Sequence, residues 1–163
     1  MTPKLRNMTS LYLVSESAVL CLYRIGSRVA NNKYIGTCGG HFEEAELNDP
    51  KRCILREMYE ELGLKEDDLA GLSLRYITHR FTKNEIRQNY YFFARMKTEK
   101  DLKSNEGNLK WIPFAEIPSL SMPVSAKHMI LHYLQIGCET DCIYAGVTEE
   151  NGTNFIEMKE FDG

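Results

Sequence analysis

Arg56, Glu57, Glu60 and Glu61 fall within six consecutive positions of this chain, a density of opposed and like charge that packing alone does not explain. On a helix, positions i, i+3 and i+4 share a face, so Glu57, Glu60 and Glu61 are predicted to converge within a few ångströms of one another. Like charges at that spacing repel, and a bound cation relieves the repulsion. Clustered carboxylate oxygens are the ligand set that suits magnesium, manganese or calcium. A solvated acidic face would carry the same glutamates, so the flanking residues have to decide between the two readings.

Those flanks define a helix. Asp49 can accept from the orphan amides of a first turn, and Pro50 at the first helical position gives up no needed donor. Gly63 is a natural stop. Between them Ile54, Leu55, Met58 and Leu62 form an apolar stripe at helical period, which must bury against a sheet, beside an arc carrying the glutamates. Gly39 and Gly40 ahead of the helix allow close backbone approach to whatever binds there. The remaining elements read as strands and one further helix. Residues 10–25 are apolar with β-branched and aromatic members, and residues 33–42 lead toward the helix. Residues 72–81 and 89–97 form a strand pair around a polar turn at 82–88, and residues 109–114 a short strand. Residues 125–136 carry Ala126, Met129, Ile130, Tyr133 and Leu134 at near-helical period and end at Gly137. Residues 142–147 and 154–161 flank Asn151-Gly152, a strong hairpin signal.

Residues 39–64, GGHFEEAELNDPKRCILREMYEELGL, resemble the signature of the Nudix hydrolases, the Nudix box. Gly40, Glu46, Arg56, Glu57, Met58, Glu60, Glu61, Gly63 and Leu64 occupy its fixed places. The spacer between Glu46 and Arg56 is nine residues where the family has seven, and the extra residues fit best in the loop before Asp49, since an insertion within the helix would rotate the glutamates off their face. The resemblance implies an α+β fold, a mixed β-sheet sandwiched between α-helices, with an extra C-terminal β-hairpin that the family pattern does not explain. A single domain is expected over residues 1–163, its core at about 10–137 and the hairpin extension at about 138–163. The resemblance also implies hydrolysis of a diphosphate linked to another group by water attack on phosphorus, with Mg2+ as cofactor and Mn2+ as a substitute. Glu57, Glu60 and Glu61 are then the metal ligands, Glu57 acts as or orients the base, Arg56 steadies the box glutamates, and Glu46 supports Arg56.

A further acid is expected outside the box, and Glu106, five residues before Trp111, matches the loop glutamate that serves MutT-like members as metal ligand or base. The proline of the ADP-ribose hydrolases is Thr78 here and the motif of the NADH hydrolases is absent, which removes both readings. The compact length and Glu106 favour a MutT-like nucleoside triphosphate pyrophosphatase, oxidised purine nucleotides included among its substrates. The comparable recognition segment, SLSMPVSAKH, offers Ser121 and Ser125 but no asparagine, and Thr37-Cys38 replaces an aromatic-proline pair. Arg24, on the first long strand, is a candidate for phosphate or base, with Ser125, Gly39 and Gly40 as the other substrate-binding candidates. A hydrolase of dinucleoside polyphosphates or of another nucleoside diphosphate derivative, and a non-catalytic Nudix module that senses a nucleotide, stay open as alternatives.

Global properties set the remaining bounds. At 163 residues the chain fits one domain, and a net charge of −3 with no long Lys/Arg run argues against polymeric nucleic acid as a partner. No apolar run approaches the roughly 20 residues that span a bilayer, and the first residues lack a secretory pattern, so a cytoplasmic enzyme acting on a small nucleotide, with no membrane partner, is expected as a monomer or homodimer. Cys21, Cys38, Cys53, Cys138 and Cys142 are an odd set without metal-ligand spacing and are expected to be reduced thiols. His128 and His132 are spaced for a metal but lack a third ligand, and the run Tyr90–Phe93 alternates between two faces of a strand and mostly fills a core.

Overall fold

The computed structural model describes residues 1–25 and 32–163. Its strands are β1 (Lys4–Val14), β2 (Ala18–Arg24), β3 (Lys33–Ile35), β4 (Cys38–His41), β5 (Leu69–Thr82), β6 (Glu85–Met96), β7 (Gly107–Pro113), β8 (Ile143–Glu149), β9 (Gly152–Thr153) and β10 (Ile156–Met158), with helices α1 (Pro50–Leu62) and α2 (Val124–Gln135). They build a mixed sheet in the order β10-β8-β5-β6-β1-β2-β3, with β4 also on β1 and β7 also on β2. β1 is its hub: it runs parallel to β6, antiparallel to β4 over Met8–Leu11, and antiparallel to β2 at Leu13 and Val14.

Alternation along β1 and β6 makes the sheet two-sided. Leu11, Leu13, Phe92 and Ala94 point toward Ile54 and Met58 of α1, whereas Tyr12, Val14, Tyr91 and Phe93 point toward Met129, Ile130 and Tyr133 of α2. The aromatic run therefore divides between two cores, as its alternation predicts. Helix α1 starts where the sequence placed it: the Asp49 side chain accepts from the Arg52 amide at 3.0 Å, Pro50 follows, and Gly63 closes the helix in the left-handed region at φ 68°.

Three strand expectations are corrected. Residues 10–25 are not one strand but β1 and β2, separated at residues 15–17, where the Ser15 hydroxyl accepts from the Ala18 amide at 3.0 Å. Residues 33–42 likewise divide into β3 and β4; between them Thr37 accepts from the Leu13 amide (3.0 Å) and donates to the Leu20 carbonyl (2.6 Å), tying β1 to β2. The polar turn expected at 82–88 is only Lys83-Asn84, both left-handed (φ 50° and 59°), a two-residue connection whose twist matches its strands.

The C-terminal hairpin extends the sheet edge. β8 runs parallel to β5, pairing Tyr144 with Tyr76, and receives β10 antiparallel. Buried Arg75 fastens it by donating to the carbonyls of Gly137 (2.7 Å), Thr140 (2.6 Å) and Cys142 (2.9 Å). His132 and His128 serve this docking too, bonded to the Tyr76 hydroxyl (2.7 Å) and to Thr153 (2.9 Å). All five cysteines are free thiols.

Candidate active site

Arg56 is the centre of an ion-pair network on α1. Its Nε donates to Glu46 Oε1 at 2.5 Å and its Nη2 to Glu46 Oε2 at 3.1 Å, a two-pronged grip on a carboxylate that is 3% exposed. Nη1 reaches Glu57 at 2.9 Å and Glu60 at 3.1 Å, and Nη2 also donates to the His41 carbonyl at 3.1 Å. The three glutamates predicted to converge are divided. Glu60 lies half exposed on Arg56, while Glu57 turns inward against Gly40 and interacts with Glu61, which the Gly39 amide faces. Among the described residues no three acidic, histidine or cysteine side chains form a ready-made metal cage. Nη1 of Arg56 holds both Glu57 and Glu60, so what parts them is burial: Glu57 lies inward beside Glu61 and Glu60 outward.

Burial separates the protonation behaviour of these acids. The Arg56 hydrogen bond and the Glu43 amide hold Glu46 down at about 2 against its burial. Glu61 is pushed up to about 8, first by burial and then by the charges of Glu57 and Glu106, and Glu57 is raised by burial against the opposing pull of Arg56. Glu57 and Glu61 are thus hard oxygen donors whose charge a divalent ion would stabilise, and this donor set suits Mg2+.

The glycines leave room for this arrangement. A Cβ on Gly40 would collide with the Glu57 carboxylate, and one on Gly39 with the Thr9 carbonyl, so without side chains here β4 passes close to α1 at Gly40 and to β1 at Gly39. From Gly39 and Gly40 a cleft of about 420 Å³ runs over Ser10, Asn89 and Tyr91 to Arg80 and Arg87, walled by Arg24, Lys33 and the start of α2 at Val124 and Ser125. Its walls are basic. His41 is depressed by burial and then by the charges of Arg6, Arg24 and Arg87. Arg24 pairs with Glu106 at 3.4 Å, in the loop just ahead of β7.

A NUDIX domain model matches residues 5–133 of this chain. The chain belongs to the Nudix hydrolase family. Its fold is similar to that of a MutT protein from Bacillus halodurans, with 22% identity, 93% of this chain and 97% of that one covered, and a TM-score of 0.66. It is similar also to a C. elegans Ap4A hydrolase solved as a binary complex (14% identity, coverage 83% and 99%, TM-score 0.66). A third likeness is to the Nudix domain of Shewanella oneidensis NrtR, solved with ADP ribose (13% identity, coverage 83% and 88%, TM-score 0.61). Nudix enzymes generally use divalent metal ions, which agrees with the oxygen donors gathered around Glu57.

Within the Nudix box, the long spacer is absorbed before the helix: a short 3-10 turn at Glu44–Glu46 and the residues after it carry the chain to Asp49, and α1 is uninterrupted. Glu46 also accepts from the Glu43 amide at 2.9 Å, so the turn that delivers it orients it as well. Ser125 lies at the cleft wall but is buried and donates its hydroxyl to Thr148 of β8 at 3.0 Å. Arg24 stands on β2 rather than on a single long strand. Sequence reading missed Lys33, Arg80, Arg87 and Asn89 as cleft residues. The available signal was the Lys83-Asn84 turn, since centring the hairpin there pairs Arg80 with Arg87 and Thr78 with Asn89. Among the described residues no helix is long and apolar enough to cross a membrane.

Proposed function

We propose that this Nudix hydrolase cleaves a nucleoside triphosphate, oxidised purine forms included, to a nucleoside monophosphate and pyrophosphate. The observation that carries the reading is the placement of Glu106, which pairs with the cleft residue Arg24 at 3.4 Å and so brings an acid from outside the box to the basic cleft beside the box carboxylates. A divalent ion held by Glu57, Glu60, Glu61 and Glu106 would neutralise phosphate charge and lower the pKa of the attacking water. Arg56 keeps Glu57 oriented, and Glu46 keeps Arg56 in place. Glu57, half-buried with its proton affinity raised, accepts the water proton or orients the group that does. Arg24 is free to take a phosphate oxygen when Glu106 turns from it. The water oxygen bonds to phosphorus, the phosphoanhydride bond breaks, and its electron pair leaves with pyrophosphate.

A nucleotide-sensing module without turnover is the second reading; a Nudix domain of similar fold solved with ADP ribose shows that the fold can hold such a ligand. The test is a panel of nucleoside triphosphates, oxidised purine triphosphates, dinucleoside polyphosphates and nucleotide sugars, with and without Mg2+, beside Glu57→Gln. Pyrophosphate release that needs Mg2+ and falls roughly 10³-fold in Glu57→Gln is expected of a lost proton acceptor. Mg2+-dependent binding with no turnover on any member would favour the sensing module.

A further inference from the structure

Arg6, Arg87 and Arg80 occupy one row of the sheet, paired in register across β1, β6 and β5. Residues in register on adjacent strands share a face, and like charges directly opposite one another destabilise a sheet. All three arginines are half-buried, so water does not fully screen them. Glu85 is their one carboxylate neighbour among the described residues, and it is shared: Arg6 reaches it at 3.5 Å and Arg87 at 3.2 Å. Arg80 has no ion pair there among the described residues. Arg87 and Arg80 line the cleft, and Arg6 donates from its Nε to His41 at the cleft wall (2.6 Å).

The row is remote from the carboxylates. Gly40 pairs with Thr9 on one side of β1, and Arg87 pairs with Arg6, three residues further along, on the other. With about 3.3 Å per residue and about 4.8 Å per strand, the Cα of Arg87 lies roughly 14 Å from that of Gly40 along the sheet, and Arg80 roughly 17 Å. The cleft lining reaches Gly39 and Gly40, against which Glu57 packs, at one end and Arg80 and Arg87 at the other.

We infer that Arg80 and Arg87, flanked by Arg6, form a second anion subsite, which takes a phosphate carried by the nucleotide apart from the phosphoanhydride that is hydrolysed. This deepens the proposed function and rests on its placing the reacting phosphates against Glu57. A guanidinium pair that repels itself without a ligand gains from a phosphate, which accepts from both planes. The substrate class is then a nucleotide phosphorylated on its sugar as well as at the 5′ position.

Calorimetry with adenosine 5′-monophosphate, adenosine 3′,5′-bisphosphate and adenosine 2′,5′-bisphosphate, in Mg2+, tests this without turnover. One of the bisphosphates is expected to bind at least tenfold more tightly than the monophosphate, and which one tells which sugar oxygen carries the phosphate. That ratio should fall below threefold in Arg80→Ala and in Arg87→Ala, with Arg80→Lys retaining part of it and thermal melts verifying that each variant folds. Equal affinities in the wild type, a ratio retained in both alanine variants, or no binding of any of the three overturns the subsite. Triphosphate turnover without a bisphosphate preference would overturn the subsite alone, whereas the preference without turnover on any 5′-triphosphate would overturn the proposed reaction alone.

Discussion

The acidic cluster at one end of the site and the basic cleft at the other are built in opposite ways. Glu57, Glu60 and Glu61 come from one helix, and the charge that organises them, Arg56, belongs to the same two turns. The arginines at the other end come from three strands, and only the pairing of β1 with β6 and of β6 with β5 brings them together. Local construction fixes the order and spacing of these acids on α1, while their burial comes from β4. Non-local construction makes the basic end depend on register, where a slip of one residue would send its side chains to the other face.

The largest effect is expected from removing the centre of the acidic end. Arg56→Ala leaves Glu46 buried without its partner, and losing one member of a buried ion pair costs about 3 kcal/mol or more. Urea unfolding should register that loss, and turnover should fall with it because Glu57 loses its orientation. Glu46→Ala should destabilise comparably while Glu60→Ala, which removes a half-exposed partner, should change stability by less than about 1 kcal/mol. Equal costs for the two would break the claim that burial of Glu46 organises the network.

The pH dependence of stability separates two glutamates of this same end. Glu46, held at about 2 against an ordinary 4.5, contributes stability above pH 4.5 that is lost as pH falls toward 2. Glu61 works in the reverse sense: raised from 4.5 to about 8, it keeps in the folded state a proton that the unfolded chain gives up, so its contribution is complete below pH 4.5 and is lost as pH rises toward 8. Metal-free protein should therefore melt at a lower temperature at pH 8 than at pH 6. Glu61→Gln should flatten that alkaline fall and leave the acid limb alone, and Mg2+ should also flatten it by binding the charged form. A metal-free melting curve independent of pH from 6 to 8 would argue against a shared field of Glu57, Glu61 and Glu106.

The smallest effect tests the basic end through its turn. Lys83 and Asn84 both adopt left-handed backbone, which asparagine and glycine tolerate better than lysine. The double change Lys83→Asn with Asn84→Gly should raise stability by a few tenths to about 1 kcal/mol in chemical denaturation, because it favours the turn that sets Arg80 against Arg87. A loss of stability would mean that the turn residues have a role besides register.

The difference between the ends also explains what was legible in advance. Asp49, Pro50, Gly63, the apolar stripe and the glutamates all signal through spacings within one turn or two, so α1 and its acids could be read directly. Arg87 was hidden because the strands run further toward one another than their composition suggests, and a polar stretch at 82–88 looks like a loop until its two left-handed residues are located. Arg75 gave no sign at all of its contacts with Gly137, Thr140 and Cys142, which lie more than sixty residues away.

By itself the sequence determined the helix, its charges and the family, because helical periodicity and capping are local and the box is contiguous. Only the tertiary structure decided that Glu57 and Glu61 turn inward while Glu60 stays exposed, that the longer spacer still delivers Glu46 to Arg56, and that Arg24, Arg80 and Arg87 from three strands share one cleft. The physical reason is that strand register and burial are set by long-range pairing. The same burial that holds Glu46 ionised beside Arg56 and raises the proton affinity of Glu61 exists only once β4, α1 and the β7 loop have come together.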